Sequence, residues 1–375
     1  MISKQDLERL IAREGGDHKI LSLFLDMSVN SDNKRTHQVF LAQREGQFRE
    51  LESERAGHSR EAIGAAFGRI RDWLDNEFDE ENRGVVIYVE LDGDWFEALQ
   101  FPVTVQNRMV IGPRPAIGPL AQVIESYHHH GVILLDREHV RILSVYLGTL
   151  MDEIEVRGKP LDIAHDIQAG GYSQQRYQRR KLEEMKHFFR EFTREVEAFE
   201  RRYQPEDFVI LGTDENVARF MEFLPDRIRD LVAYTGPMRV DELSSEVLER
   251  LEPHLEELRV QEAQEVLQRL RERAQQDYLA TAGFQSTLSA LQEGKVDTLI
   301  IERDGDGEEG SRCPTCGFVF ALEVKTCPYD GTSTTAGVNL VEEAIRMAEA
   351  QGAEVQFVSP STADDLRGVG SLLRF

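Results

Sequence analysis

The chain has 375 residues and a formal net charge of -24, from 68 acidic and 44 basic side chains. That length suits two or three domains with cores of their own, and no apolar run approaches the roughly 18 to 20 residues of a membrane span, which excludes an integral membrane protein. So acidic a chain repels a phosphate backbone at long range, so DNA is not an expected partner and indiscriminate RNA binding is disfavoured.

The opening MISKQDLERLIAREGGDHK lacks the apolar core of a secretory signal, and the three cysteines all fall between 313 and 327. Together these favour a reducing cytoplasm over a disulfide scaffold. Leu7, Leu10 and Ile11 mark a short helix, and ILSLFLD (20–26) reads as a strand. After the polar loop NSDNKR come two helical stretches to about 78, then GVVIYVEL and WFEALQF as a hairpin across DGD. NRMVIGPRPAIGP (107–119) is proline-rich and reads as an extended linker closing an N-terminal α/β domain, 1–127.

A second α/β domain is expected over 128–238. GVILLD and HVRILSVYL pair across REH, and MDEIEV adds a third strand. Leu182, Met185, Phe189, Phe192, Val196, Phe199 and Tyr203 alternate spacings of three and four, the apolar seam of a long helix. DFVILGT then reads as a buried strand of the parallel type. His128, His129 and His130 are consecutive and lack a metal-ligand spacing, and Asp136 before REH reads as a turn residue. Residues 239–375 form a third α/β domain, beginning with an acidic helix over 244–280 and interrupted by a cysteine segment, 311–332.

Within that segment, Cys313-Pro-x-Cys316-Gly and Cys327-Pro-x-Asp330-Gly repeat one tight turn. Such turns aim two ligands each at one metal, as in a zinc ribbon, with Asp330 as the fourth ligand of a structural zinc ion. The alternative is a degenerate knuckle that folds without metal. Nothing nearby points to an open, water-activating zinc.

The stretch AGGYSQQRYQRR (169–180) places Gly170, Gly171, Tyr172, Ser173, Gln174 and Gln175 directly before Arg176, Arg179 and Arg180. Paired glycines permit close backbone approach to a ligand, and a helix start carrying guanidiniums favours phosphate. The plain alternative is a glycine-capped surface loop before a solvated helix.

Gly170-Gly171-x-Ser173-x-x-Arg176-Tyr177-x-Arg179 resembles the central loop and following helix of the archaeo-eukaryotic class-1 release factor and Pelota superfamily, including its bacterial release-factor-like and Balon-type hibernation members. GVILLDREHVRILSVYLG, GKVDTLII and LVEEAIRMAEAQGAEVQFVS resemble further segments of that family, from about 128 to the end. The resemblance implies three domains: the middle one ribonuclease-H-like, the last akin to kink-turn-binding ribosomal proteins and carrying a zinc-ribbon-like insertion. It also implies a ribosomal partner, through rRNA and the tRNA acceptor end, and a translational GTPase as a further partner.

Where termination factors of the family carry a glutamine after the two glycines, this chain has Tyr172, and the family's stop-codon-reading motifs are absent before 128. The expectation is therefore a factor that occupies the acceptor site of idle or stalled ribosomes, in hibernation or rescue, with residues 170–176, 179 and 180 touching RNA. The enzymatic alternative is a peptidyl-tRNA hydrolase or acceptor-end nuclease in which Gln174 or Gln175 positions the attacking group.

Overall fold

The computed structural model describes residues 4–13, 18–29, 35, 37–55, 60–158, 173–276, 278–303, 307–360 and 366–375, with side chains omitted at 48–55, 60 and 173–182. The fold is mixed α/β with four sheets among the described residues. It divides into two compact units, one of Met1–Ser126 with Arg259–Phe375, the other of Tyr127–Leu258.

The first part of unit 1 holds α1 (Lys4–Ile11), β1 (Ile20–Asp26), α2 (His37–Arg55), α3 (Arg60–Asn76), β2 (Gly84–Glu90), β3 (Phe96–Phe101), β4 (Arg108–Gly112) and α4 (Gly118–Ser126). Its antiparallel sheet runs β3-β2-β1-β4. Alternate residues Leu21, Leu23 and Leu25 of β1 pack with Ile63, Phe67 and Ile70 of α3, as period-two alternation against a helical stripe requires.

The proline-rich stretch corrects the sequence reading. Arg108–Gly112 is an edge strand, antiparallel to β1 with Leu23 opposite Met109, and the prolines begin only where the ladder stops. Residues 114–118 then form a hub. The Ala116 N–H donates to the buried Ser22 hydroxyl at 2.9 Å and the Tyr88 hydroxyl to Ala116 O at 2.8 Å. The N–H of Ile117 reaches Glu342 Oε2 at 2.7 Å and that of Gly118 both Glu342 oxygens. Arg114 pairs with Glu343, and Arg346 donates to the Pro115 carbonyl. A carboxylate at the start of α4 satisfies its free N–H groups and complements its dipole.

Unit 2 contains β5 (His130–Leu135), β6 (His139–Tyr146), β7 (Thr149–Arg157), α5 (Ser173–Tyr203), β8 (Asp207–Leu211), α6 (Asp214–Met221), α7 (Asp226–Arg229), β9 (Val232–Gly236) and the beginning of α8 (Ser244–Gln275). The sheet order is β7-β6-β5-β8-β9, with β5, β6 and β7 an antiparallel meander and β5, β8 and β9 parallel. Ile133, Leu135, Ile142 and Ile210 meet Met185, Phe189, Phe192, Val196 and Phe199 of α5 on one face. The intervening Val132, Leu134, Leu143 and Val209 meet Val247 and Leu251 of α8 on the other. Both faces are covered, which is why these strands read as continuous apolar runs. Buried Arg141 ties this unit together: its Nε donates to Glu153 at 2.6 Å, and its Nη atoms to Val240 O at 2.7 Å and Ser244 Oγ at 2.7 Å.

The rest of unit 1 follows with β10 (Ala280–Ala282), α9 (Phe284–Gln292), β11 (Val296–Glu302), β12 (Glu309–Arg312), β13 (Val319–Phe320), β14 (Thr335–Asn339), α10 (Leu340–Ala350), β15 (Glu354–Val358) and β16 (Val369–Leu373). One sheet runs β10-β16-β11-β15 and a small one β13-β12-β14. Val266, Leu267 and Leu270 of α8 cover Ile300, Val358 and Leu372. No described helix is long and apolar enough to cross a membrane.

Candidate functional site

At one end of the unit 2 sheet, the turn after β5, the end of β7 and the segments after β8 and β9 converge on an open groove of about 610 Å³. Asp136 Oδ1 accepts the N–H groups of Glu138 and His139, each at 2.8 Å, and so holds the β5–β6 turn. A Cβ at Gly212 would lie 2.6 Å from Leu135 O, so the turn after β8 needs glycine to approach β5. The groove's cations are balanced. Arg239 holds the Asp241 carboxyl below its usual range through two hydrogen bonds, and Arg157 does the same to Glu155.

The chain leaves this groove at Gly158, whose N–H donates to Glu138 O at 2.6 Å. Gly170, Gly171 and Tyr172 lie outside the described residues. Ser173, Gln174, Gln175, Arg176, Arg179 and Arg180 all belong to the first turns of α5. Helical periodicity places positions 176, 179 and 180 on one face. The buried seam of α5 takes hold at Met185, leaving about 18 Å of helix before its first described core contact. A helix start with cationic positions on one face suits an anion. No sequence pattern revealed the groove, because it gathers the ends of strands far apart in the chain.

The histidine run has separate attachments. His128 faces Glu206 at 3.6 Å, His129 Nε2 meets Ser144 Oγ at 2.8 Å and His130 Nδ1 meets Asp207 at 2.7 Å. Arg35 lies over the Phe78 ring and donates to Glu80 O at 3.0 Å.

The second assembly is the cysteine cluster. Gly317 N–H bonds Cys313 O, and Gly331 N–H bonds Cys327 O, both at 3.0 Å. Each glycine has positive φ, +76° and +75°, so the two turns repeat a conformation that suits glycine. They bring the ligand atoms of Cys313, Cys316, Cys327 and Asp330 all within 4.8 Å of one another. Cys316 Sγ is 3.7 Å from Cys327 Sγ, and the Cys313 thiol is 3.2 Å from Asp330 Oδ2. Metal–sulfur bonds of about 2.3 Å in a tetrahedron put sulfurs about 3.8 Å apart, so the cluster could hold one metal ion.

The electrostatics agree with that fit. The Phe318 N–H favours the Cys316 thiolate, yet desolvation and the crowding of Cys313, Cys327 and Asp330 push the thiol up to about 11. A bound dication reverses such crowding. The Thr332 N–H at 2.9 Å and the Cys313 thiol hold Asp330 well below the usual carboxylate range. Thr315 and Thr332 join the two turns through their hydroxyls at 3.1 Å. The sequence singles out neither threonine; the Asx turn at Asp330 uses only the Thr332 backbone N–H, and the hydroxyl pairing is visible only in the fold.

The chain is similar to archaeo-eukaryotic release factors. Within it, residues 115–256 match the family described as bacterial archaeo-eukaryotic release factor family 10. Peptide chain release factor subunit 1 of Methanobrevibacter smithii is 25% identical over 295 residues, 68% of each chain. Its counterpart from Pyrococcus abyssi is 25% identical over 301 residues, 68% of this chain and 69% of that one. Among solved structures, Saccharomyces cerevisiae Dom34, a translation termination-like factor, is similar with a TM-score of 0.44 and 11% identity over 80% of this chain and 81% of that one.

Proposed function

We propose that this protein is a ribosome-associated factor that enters the tRNA acceptor site of idle or stalled ribosomes, in hibernation or rescue, without reading a stop codon. The observation that carries the proposal is the position of Tyr172, where the resemblance expects a catalytic glutamine, immediately before a helix whose first turns hold Arg176, Arg179 and Arg180. On this reading residues 170–176, 179 and 180 touch acceptor-end RNA and rRNA, and occupancy rather than bond cleavage is the activity. The factor works in the cytoplasm, and a translational GTPase is the delivery partner that the resemblance favours.

The domain reading belongs to the same proposal: 1–127, a ribonuclease-H-like 128–238 and a kink-turn-ribosomal-protein-like 239–375. The meander continuing into parallel β8 and β9 supports the middle assignment. The four ligands at 313, 316, 327 and 330 would hold zinc as a closed structural ion, three thiolates suiting that metal.

The rival reading, a peptidyl-tRNA hydrolase or acceptor-end nuclease, draws on Gln174 and Gln175 lying in the first turn of α5. There, free backbone N–H groups would assist a glutamine in orienting an attacking water or hydroxyl.

Co-sedimentation with ribosomes from growing, starved and cold-treated cells tests the proposal. Binding by the wild type, lost when Arg176, Arg179 and Arg180 are all changed to alanine, is the expected result. Absence of co-sedimentation under every condition overturns it, and turnover of peptidyl-tRNA that vanishes in Gln174→Ala transfers the function to the enzyme.

A further inference from the structure

The cysteine module carries an aromatic cluster with one face open to solvent. The Phe318 ring lies 4.8 Å from Phe320 and 4.7 Å from Tyr329, and Phe320 stacks on Tyr329 with 16° between planes. Both turns contribute: Phe318 follows Gly317, and Tyr329 sits between Cys327 and Asp330. Yet Tyr329 is 67% exposed, and Leu322, two residues beyond Phe320, is 69% exposed. Phe67, Phe101 and Phe220 are by contrast fully buried, and the other widely exposed rings, Tyr278 and Phe375, belong to no such ring cluster among the described contacts. Phe318 and Phe320 are half-buried beneath Tyr329, and an exposed ring backed by two others is a typical anchor of an interface.

Charge decides what they take. Residues 308–335 contain four acids, Glu308, Glu309, Glu323 and Asp330, against two cations, Arg312 and Lys325. Their balance is negative, which opposes the polyphosphate of a nucleic-acid strand whose bases might otherwise stack here. The same combination of ring faces and carboxylates attracts guanidinium groups, through the ring quadrupole and through charge-assisted hydrogen bonds. We propose that Phe318, Phe320 and Tyr329 form a docking surface for an arginine-bearing segment of a partner protein. The inference does not rest on ribosome occupancy, nor on which metal the cluster holds.

The test uses the full chain and a fluorescent peptide of alternating arginine and glycine, titrated at physiological salt and read by anisotropy. Tyr329→Ala should weaken binding about fivefold, the scale of one exposed cation–π contact. Tyr329→Phe keeps the ring face and should bind as the wild type does, and Glu323→Lys should weaken binding through charge alone. Because Tyr329 is largely exposed, the alanine variant is expected to fold, and circular dichroism checks that it has. Equal affinity for wild type and Tyr329→Ala overturns the proposal by assigning the peptide to other acids of the chain. Binding of oligouridylate in place of the peptide overturns it too, as does self-association of the chain through Tyr329.

Discussion

Gly158 presents its bare Cα to the ring of Phe188, a contact that a side chain at 158 would obstruct. The end of β7 is thereby fixed on α5 well inside the helix, which begins at Ser173. Gly158 is thus anchored beside the groove. Gly158→Val must displace the buried Phe188, and overpacking of this kind costs about 1 to 3 kcal/mol. Both tryptophans lie in unit 1, so the loss should be read by hydrogen exchange in β7 and α5 rather than by fluorescence. Unchanged protection there would show that Phe188 yields without strain.

Glu342 accepts hydrogen bonds from two successive backbone N–H groups, the nearer at 2.7 Å from a residue 225 positions away. Glu342→Ala leaves those donors at the start of α4 without their acceptor, at a cost of about 1 to 3 kcal/mol. Trp73 and Trp95 report on this unit, so the urea midpoint followed by tryptophan fluorescence should fall. Glu342→Gln keeps one acceptor and should fall less.

These two contacts show where sequence reasoning reaches its limit. The α5 seam was legible because its three-four spacing follows directly from helical geometry, and Phe189, Phe192, Val196 and Phe199 are all buried. The cysteine cluster was legible because a repeated turn motif carries its own geometry. The edge strand Arg108–Gly112 was not: its prolines at 113 and 115 dominate local reading, while its status depends on pairing with β1, far back in the chain. Glu342 looks like an ordinary surface acid of an amphipathic helix, and only the fold brings Ile117 to it. The groove beside Gly158 was hidden for the same reason, since Asp136, Arg157 and Asp241 belong to separate elements.

His129 makes a pH prediction for unit 2. Burial holds its imidazole below the ordinary value near 6.5, outweighing the opposing influence of Glu206. Ser144, Tyr146 and Tyr203 pack against the ring, and His130 and Asp207 add smaller fields of opposite sense. The unfolded chain therefore takes up this proton at a higher pH than the folded one. The stabilising contribution is complete above about pH 6.5 and is lost as pH falls through the lower folded value. Hydrogen exchange of β5 and β6 should accelerate between pH 7 and 5.5 once corrected for intrinsic rates, and His129→Gln should flatten that dependence. An identical slope in the variant would assign the effect to other groups.

Asp330 distinguishes a working metal site from a degenerate knuckle. The protein purified without chelator should carry one zinc per chain, measured by mass spectrometry. Asp330→Ala removes the one oxygen ligand and should lower affinity by more than about tenfold, since even groups outside the ligand set are worth that much. Asp330→Cys supplies a fourth thiolate and should retain zinc at least as well as wild type. Cys313 is fully buried, so Cys313→Ser removes a ligand from the interior of the module and should abolish binding. Stability provides an independent readout: a chelator should lower the thermal midpoint of the wild type and leave that of Cys313→Ser unchanged, because binding to the folded form alone stabilises it by mass action. If the wild type contains no metal and its midpoint ignores the chelator, the two turns are held by their own hydrogen bonds. Gly317 to Cys313, Gly331 to Cys327 and Thr315 to Thr332 would then suffice to close the module.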